Sequence, residues 1–151
     1  MMKKSLLDPQ GRTDVESRLA RLRPGAERQW GTMTVNKMLC HIGDQLRCGL
    51  GELETHQRKS PMALPPLRWF FIHVAPWPKG KVQTAREMLA TEPAESLEAD
   101  RQQLLEVLGR FAEEMPGRGK VLHPLFGPIS AKDWGVLGWR HMDHHLRQFD
   151  V

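Results

Sequence analysis

Between Gly51 and Glu95 six prolines (Pro61, Pro65, Pro66, Pro76, Pro78 and Pro93) rule out a long regular element, while the segments on either side repeat apolar residues at helical spacing. That division constrains the fold more than any other feature of the chain. A first helix is predicted from about Asp14 to Arg23, with Thr13 as N-cap, Glu16 completing a capping box, and Val15, Leu19 and Leu22 as its stripe. A second is predicted from Thr34 to about Leu50, on Val35, Met38, Leu39, Ile42 and Leu46. After the proline-rich connection, a third long helix runs from Leu97 to Met115, with Ser96 as its cap. A final one follows Ser130 and reaches Phe149, with Asp133 in its first turn. Leu67 to Val74 reads as a short apolar helix inside the connection. Strand signals are nearly absent, with no long alternating run and no Asn-Gly or Asp-Gly turn. Four long helices joined with one long crossover describe an all-α four-helix bundle, and 151 residues suit a single domain over the whole chain.

Composition narrows the function classes. Apolar residues make up 40% and charged residues 26%, enough for an ordinary globular core. No apolar run reaches the roughly 20 residues that span a bilayer. The longest, Leu67 to Val74, carries Arg68 and His73. The two lysines near the start lead into no apolar stretch, so neither a membrane partner nor a cleaved secretory signal is expected. The net charge is +4, but basic and acidic residues are interspersed, without a basic stripe or zinc-finger spacing, so nucleic-acid binding is not expected. Cys40 and Cys48 lie eight residues apart on one predicted helix, about 12 Å, too far for a disulfide. They read as reduced core thiols, which favours the cytoplasm.

The final helix carries chemistry where a core stripe carries Leu or Val. On a wheel at about 100° per residue, Trp134, Leu137, Gly138, His141, His145 and Phe149 share an arc of about 120°. Two imidazoles one turn apart on a buried face need partners, since an unpaired buried polar group costs roughly 1–3 kcal/mol. One metal ion answers for both. His144, at i+3 from His141, is the competing ligand; it falls at the stripe edge and is read instead as rim, support or substrate contact. His41 is the best third ligand, in the middle of the second helix and about 60° from Met38 on the wheel, with Asp44 and Gln45 near enough to orient its other nitrogen. His56, His73 and His123 are weaker candidates. The bland alternative is a set of hydrogen-bonded core histidines.

The tail His141-Met142-Asp143-His144-His145-Leu146-Arg147-Gln148 resembles the His-x-x-His-His-x-x-Gln signature of the DinB-like (YfiT-like) metalloenzymes. His123-Pro124-Leu125-Phe126-Gly127, Ser130 to Trp134, and Trp77-Pro78-Lys79-Gly80-Lys81 resemble the branch called domain of unknown function 1569. The resemblance spans roughly Thr13 to Val151. It implies a bundle of up-down-down-up connectivity, with the long crossover between parallel second and third helices. It also implies a divalent ion, zinc or nickel ahead of iron or manganese, on His41, His141 and His145. For some relatives it implies a low-molecular-weight thiol as co-substrate.

Three neutral ligands leave a divalent ion its full charge and an open position, the form of catalytic rather than structural zinc sites. The expected function is therefore a metal-dependent hydrolase or thiol-dependent transferase acting on a small molecule. The alternative is a non-catalytic metal-binding or stress-associated protein, acting as a homodimer. Asp44, Asp133 and His144 are the candidate bases. Lys79, Lys81 and Trp134 are the candidate substrate contacts, although a basic loop usually faces water. Cys48 is expected as a buried thiol, too far along its helix to be a ligand, and Trp139 as interface packing.

Overall fold

The computed structural model describes residues 4–81 and 83–151. Among them are five α-helices: α1 (Pro9–Leu19), α2 (Val35–Gly49), α3 (Pro65–His73), α4 (Leu97–Glu114) and α5 (Ala131–Gln148). Three single 3-10 turns (Pro61–Ala63, Arg86–Leu89 and Met115–Gly117) and two short strands, β1 (Val121–His123) and β2 (Gly127–Ile129), complete the described elements. The protein is mostly helical, and no described helix is long and apolar enough to cross a membrane.

Three of the long helices start where their caps place them. Thr34 accepts from the Lys37 amide at 3.1 Å, Ser96 from Ala99 at 3.1 Å and Ser130 from Asp133 at 3.1 Å. α1 departs from expectation. It begins at Pro9 rather than Asp14, because Asp8 accepts from Gln10 N and Pro9 supplies a first helical residue that needs no amide partner. Thr13, the expected cap, lies inside the helix, with its hydroxyl donating to the Pro9 carbonyl. The helix ends at Leu19, four residues short of Arg23. Val15, Leu19 and Leu22 are nevertheless all buried, and Arg101 of α4 donates to the Leu19 and Leu22 carbonyls that close this end.

The strands correct the expectation of a chain without β structure. They pair antiparallel, with Val121 opposite Ile129 and His123 opposite Gly127. At three residues each they are too short to show an alternating pattern. The turn is closed by an imidazole rather than by a sequence-typical dipeptide: His123 Nδ1 accepts from the amides of Leu125 and Phe126 at 3.1 and 3.4 Å. Gly127, at φ +71°, supplies the left-handed residue such a return needs.

α2 is the central element. Twelve of its fifteen residues are buried, so its polar side chains must find partners inside the protein. α2 packs chiefly on α4, and α5 packs on α1, α2 and α3. The segment before α1 lies along α5, where Leu6 N donates to the Gly135 carbonyl at 2.9 Å. A Cβ on Gly138 would stand 2.7 Å from Leu6 Cδ1, so this glycine allows the close approach. Leu6 is fully buried and Gly138 lies on the same face of α5 as His141.

A Gly138→Ala variant is expected to lose about 1–3 kcal/mol in urea unfolding, because the added methyl overpacks against a core leucine. An unchanged midpoint would show that Leu6 can retreat and that this contact does not set the helix position.

Candidate metal centre

His41 projects from α2 and His141 and His145 from α5, where these two helices pack together. All three are buried, with 3%, 6% and 9% of their surface exposed. His141 Nε2 lies 2.8 Å from His41 Nε2 and 3.1 Å from His145 Nε2. The three rings stand nearly perpendicular to one another, with centroids 4.6–4.9 Å apart.

The opposite edge of each ring meets an oxygen. His41 Nδ1 lies 2.8 Å from the Met88 carbonyl, His141 Nδ1 2.6 Å from Gln45 Oε1, and His145 Nδ1 2.8 Å from Gln148 Oε1. A carbonyl only accepts, so the proton of His41 is on Nδ1. Gln148 is held in its orientation because its Nε2 donates to the Trp30 carbonyl at 2.8 Å, which leaves Oε1 to accept from His145. Each imidazole therefore carries its hydrogen on Nδ1 and turns an Nε2 lone pair inward.

Three acceptors within 4.8 Å of one another, two of the pairs at 2.8 and 3.1 Å, need a cation or extra protons. Burial opposes protons. It lowers His41 below its ordinary value of 6.5, takes His141 well below it and pushes His145 down to about 3, with neighbouring imidazoles adding to the last two. A divalent ion satisfies all three lone pairs without protonation. Two nitrogens on a common ion at about 2.0–2.1 Å stand about 3.0–3.4 Å apart, close to the separations observed. The residues fit a metal ion, and among the described residues no other group of histidines, cysteines and carboxylates converges in this way.

Neighbouring segments hold the cluster's partners. Asp44, fully buried, accepts from the Thr91 amide at 2.8 Å, the Thr91 hydroxyl at 2.5 Å and Arg47 at 3.1 Å. It thereby pins the Arg86–Leu89 turn that supplies the Met88 carbonyl. Asp44 is a positioning group with its oxygens engaged, not a free base. Gln45, expected to serve His41, serves His141 instead.

The cluster opens on a cavity of about 410 Å³. Trp30, Met33, Met62, Phe71, Trp77, Met88, Phe126 and Leu137 are its apolar walls, and His123 and His144 also line it. The Trp77 ring centroid lies 5.9 Å from those of both His141 and His144, and Trp30 meets His144 edge-on at 5.5 Å. Trp77 is backed by Arg140, whose guanidinium donates to the carbonyls of Phe71, Ile72 and Ala75 at the end of α3. His144 thus stands at the cavity wall rather than in the ligand cluster.

Other residues singled out in the sequence lie elsewhere. Lys79 is exposed and does not line the cavity, with Nζ 4.5 Å from the ring centroid of Trp30, which does. Lys81 is exposed and does not line the cavity. Trp134 does not reach the cavity either. It is fully buried behind His123, and its indole donates to the Val121 carbonyl at 3.1 Å. Asp133 holds His73 at 2.8 Å and the Ser130 hydroxyl at 2.8 Å, capping α5 rather than facing the cluster. His56 is exposed beside Glu54 and Glu87. Cys40 and Cys48 are buried free thiols, pushed up to about 12 and about 11 by burial. Trp139 is buried, with Lys4 over its ring at 5.7 Å. Sequence reasoning did not place Trp30 or Met88 at the site, weighed His123 only as a weaker ligand candidate, and named Trp77 only within a motif of the resemblance. Only the helix wheel was available there, and these residues arrive from loops and the hairpin.

Comparisons with family models, curated proteins and solved structures return no match, so the case for this site rests on the chain's own geometry.

Gln148→Leu removes the acceptor for His145 Nδ1 and the tie to Trp30. Metal titration of this variant should show affinity about 10- to 100-fold weaker than wild type; equal affinity would show that Gln148 does not orient the ligand. A second expectation concerns acid. His123 and His145 sit at about 3 in the folded protein, lowered from 6.5 by burial. Below pH 6.5 the unfolded chain takes up protons that the folded chain does not. Stability from these groups is therefore complete above pH 6.5 and lost progressively toward pH 3, at up to about 1.4 kcal/mol per pH unit for each histidine. Urea midpoints of chelator-treated protein should fall between pH 7 and pH 5, and equal midpoints would show that these rings are not held neutral.

Proposed function

We propose that His41, His141 and His145 bind one divalent metal ion and that the protein is a metal-dependent enzyme acting on a small molecule held in the adjoining cavity. The observation that carries this reading is the convergence of three unprotonated Nε2 atoms on the wall of a cavity large enough for a ligand. A divalent ion there would supply positive charge beside an open position, lowering the pKa of a water or a thiol and stabilising developing negative charge. The reaction class is hydrolysis or transfer to a low-molecular-weight thiol. The chain's own contribution is to fix the three rings through Met88, Gln45 and Gln148, to exclude water with Trp30, Trp77 and Phe126, and to present His144 between the two tryptophans as a group able to hold a proton. The resemblance to DinB-like metalloenzymes supports the same ligand set, with zinc or nickel as the first candidates and iron or manganese next. In that reading the helices form an up-down-down-up bundle and the segment between α2 and α4 is its crossover.

Elemental analysis of untagged protein tests the assignment. Wild type and His144→Ala should each carry about one metal ion per chain, and His41→Ala and His145→Ala should carry far less. Equal metal content in all four would sink it. Metal-loaded protein that is inert in ester-hydrolysis and thiol-adduct screens would leave the binding-protein reading in place of the enzyme.

A further inference from the structure

The buried side-chain polar groups of the cavity are unevenly matched. Gln148 uses its oxygen on His145 and its amide nitrogen on Trp30. Gln45 uses its oxygen on His141, and its amide nitrogen, which is not fully enclosed, makes no hydrogen bond among the described residues. His123 is the telling case. It is 6% exposed, yet it lines the cavity. Its Nδ1 accepts from two backbone amides, each with a single hydrogen to give, so Nδ1 carries no proton. The neutral ring must then carry its hydrogen on Nε2, at the far edge, where it makes no hydrogen bond to a protein group among the described residues and, not being fully enclosed, borders the cavity. Burial keeps the ring neutral, with the pKa lowered to about 3. The hairpin thus fixes both the tautomer and the direction of a neutral donor.

We infer that His123 Nε2–H, with the Gln45 amide as a second donor, is the recognition point for a neutral and mostly apolar molecule that carries a carbonyl-type acceptor. The argument is one of matching. A neutral donor that borders an apolar cavity is matched by an acceptor on the occupant, and an occupant without one leaves it unpaired once water is displaced. The walls beside it are Trp, Met, Phe and Leu, which favour an apolar body. Among the described residues no Asp or Glu lines the cavity, and the one permanently charged lining residue, Arg58, is exposed, with its guanidinium on the Gln83 carbonyl. Charge on the ligand's buried end would meet no opposite charge beside His123. The inference rests on the cavity being the substrate site, but not on the identity of any metal.

A matched pair of probes tests it: acetophenone, and ethylbenzene, which has the same shape without the carbonyl. Both are titrated into the full-length protein as purified, following tryptophan fluorescence. Wild type should bind acetophenone about five- to tenfold more tightly than ethylbenzene, the net effect of one hydrogen bond. His123→Asn keeps an acceptor for the Leu125 and Phe126 amides but has no group at Nε2, so its preference should fall to near unity. In wild type, without any variant, the His123 Nε2–H resonance should shift with acetophenone and not with ethylbenzene. The inference is overturned when wild type shows no preference, when the resonance ignores acetophenone, or when His123→Asn keeps the full preference. A preference lost in His145→Ala but kept in His123→Asn would place the carbonyl at the histidine cluster and also overturn it. Wild type that prefers acetophenone while containing no metal would fail the metal assignment alone.

Discussion

Packing three imidazoles into the contact between α2 and α5 sets a condition that the surrounding structure has to meet. A buried neutral imidazole has one donor and one acceptor. Turning all three acceptors to one point leaves three Nδ1–H donors facing outward into protein, and each must find an oxygen. The oxygens come from three places: a side chain one turn along α2, a side chain near the end of α5, and a backbone carbonyl delivered from the crossover. The last is the demanding one, because a loop carbonyl has to be brought to a helix face and kept there. Asp44 does this with both carboxylate oxygens on Thr91. A fully buried carboxylate three residues from His41 is thereby explained without a catalytic role.

The same logic ties the rest of the crossover to α5. Arg140 lies next to His141 in sequence but points away from the cluster, toward the unsatisfied carbonyls at the end of α3. Its guanidinium also underlies Trp77, which leans over His141 and His144. One helix therefore carries the inward-facing histidines and, a fraction of a turn away, the group that fastens the cavity wall above them. Outside α3 and its two 3-10 turns, the proline-rich connection is tied down by side chains from α2 and α5.

Much of this was legible in the sequence where helical periodicity speaks. The stripe Trp134, Leu137, Gly138, His141 and His145 is buried as the wheel places it, and the same arithmetic set His144 at the edge, where it stands at the cavity wall. His41 was harder to place, since one histidine on an apolar helix has several explanations; it is the structure that brings its Nε2 to His141. Two kinds of information were out of reach. The start of α1 was misplaced because two local signals compete, Asp8-Pro9 and the Thr13–Glu16 box, and the first of them caps the helix. The cavity walls come from segments without a period, so helical spacing gave Trp30, Trp77 and His123 no position, and the motifs that contain Trp77 and His123 gave them no role. The hairpin escaped because its turn is closed by a histidine ring acting as an acceptor, a device that composition-based turn signals do not contain.

That histidine bears on how the two halves of the site differ. The cluster histidines and His123 are all buried and all neutral, yet they are tautomers of opposite sense. The cluster rings hold hydrogen on Nδ1 and offer lone pairs inward. His123 accepts at Nδ1 and offers hydrogen from Nε2. Backbone groups decide two of the four, the Met88 carbonyl for His41 and the Leu125 and Phe126 amides for His123, and glutamine side chains decide His141 and His145. One cavity is therefore bounded by a point that attracts cations and by a point that attracts neutral acceptors, built from the same side chain. With a divalent ion held at the first point, a molecule that reaches both would need an electron-rich atom at each, separated by an apolar body. This restricts the ligand more tightly than the volume of the cavity does.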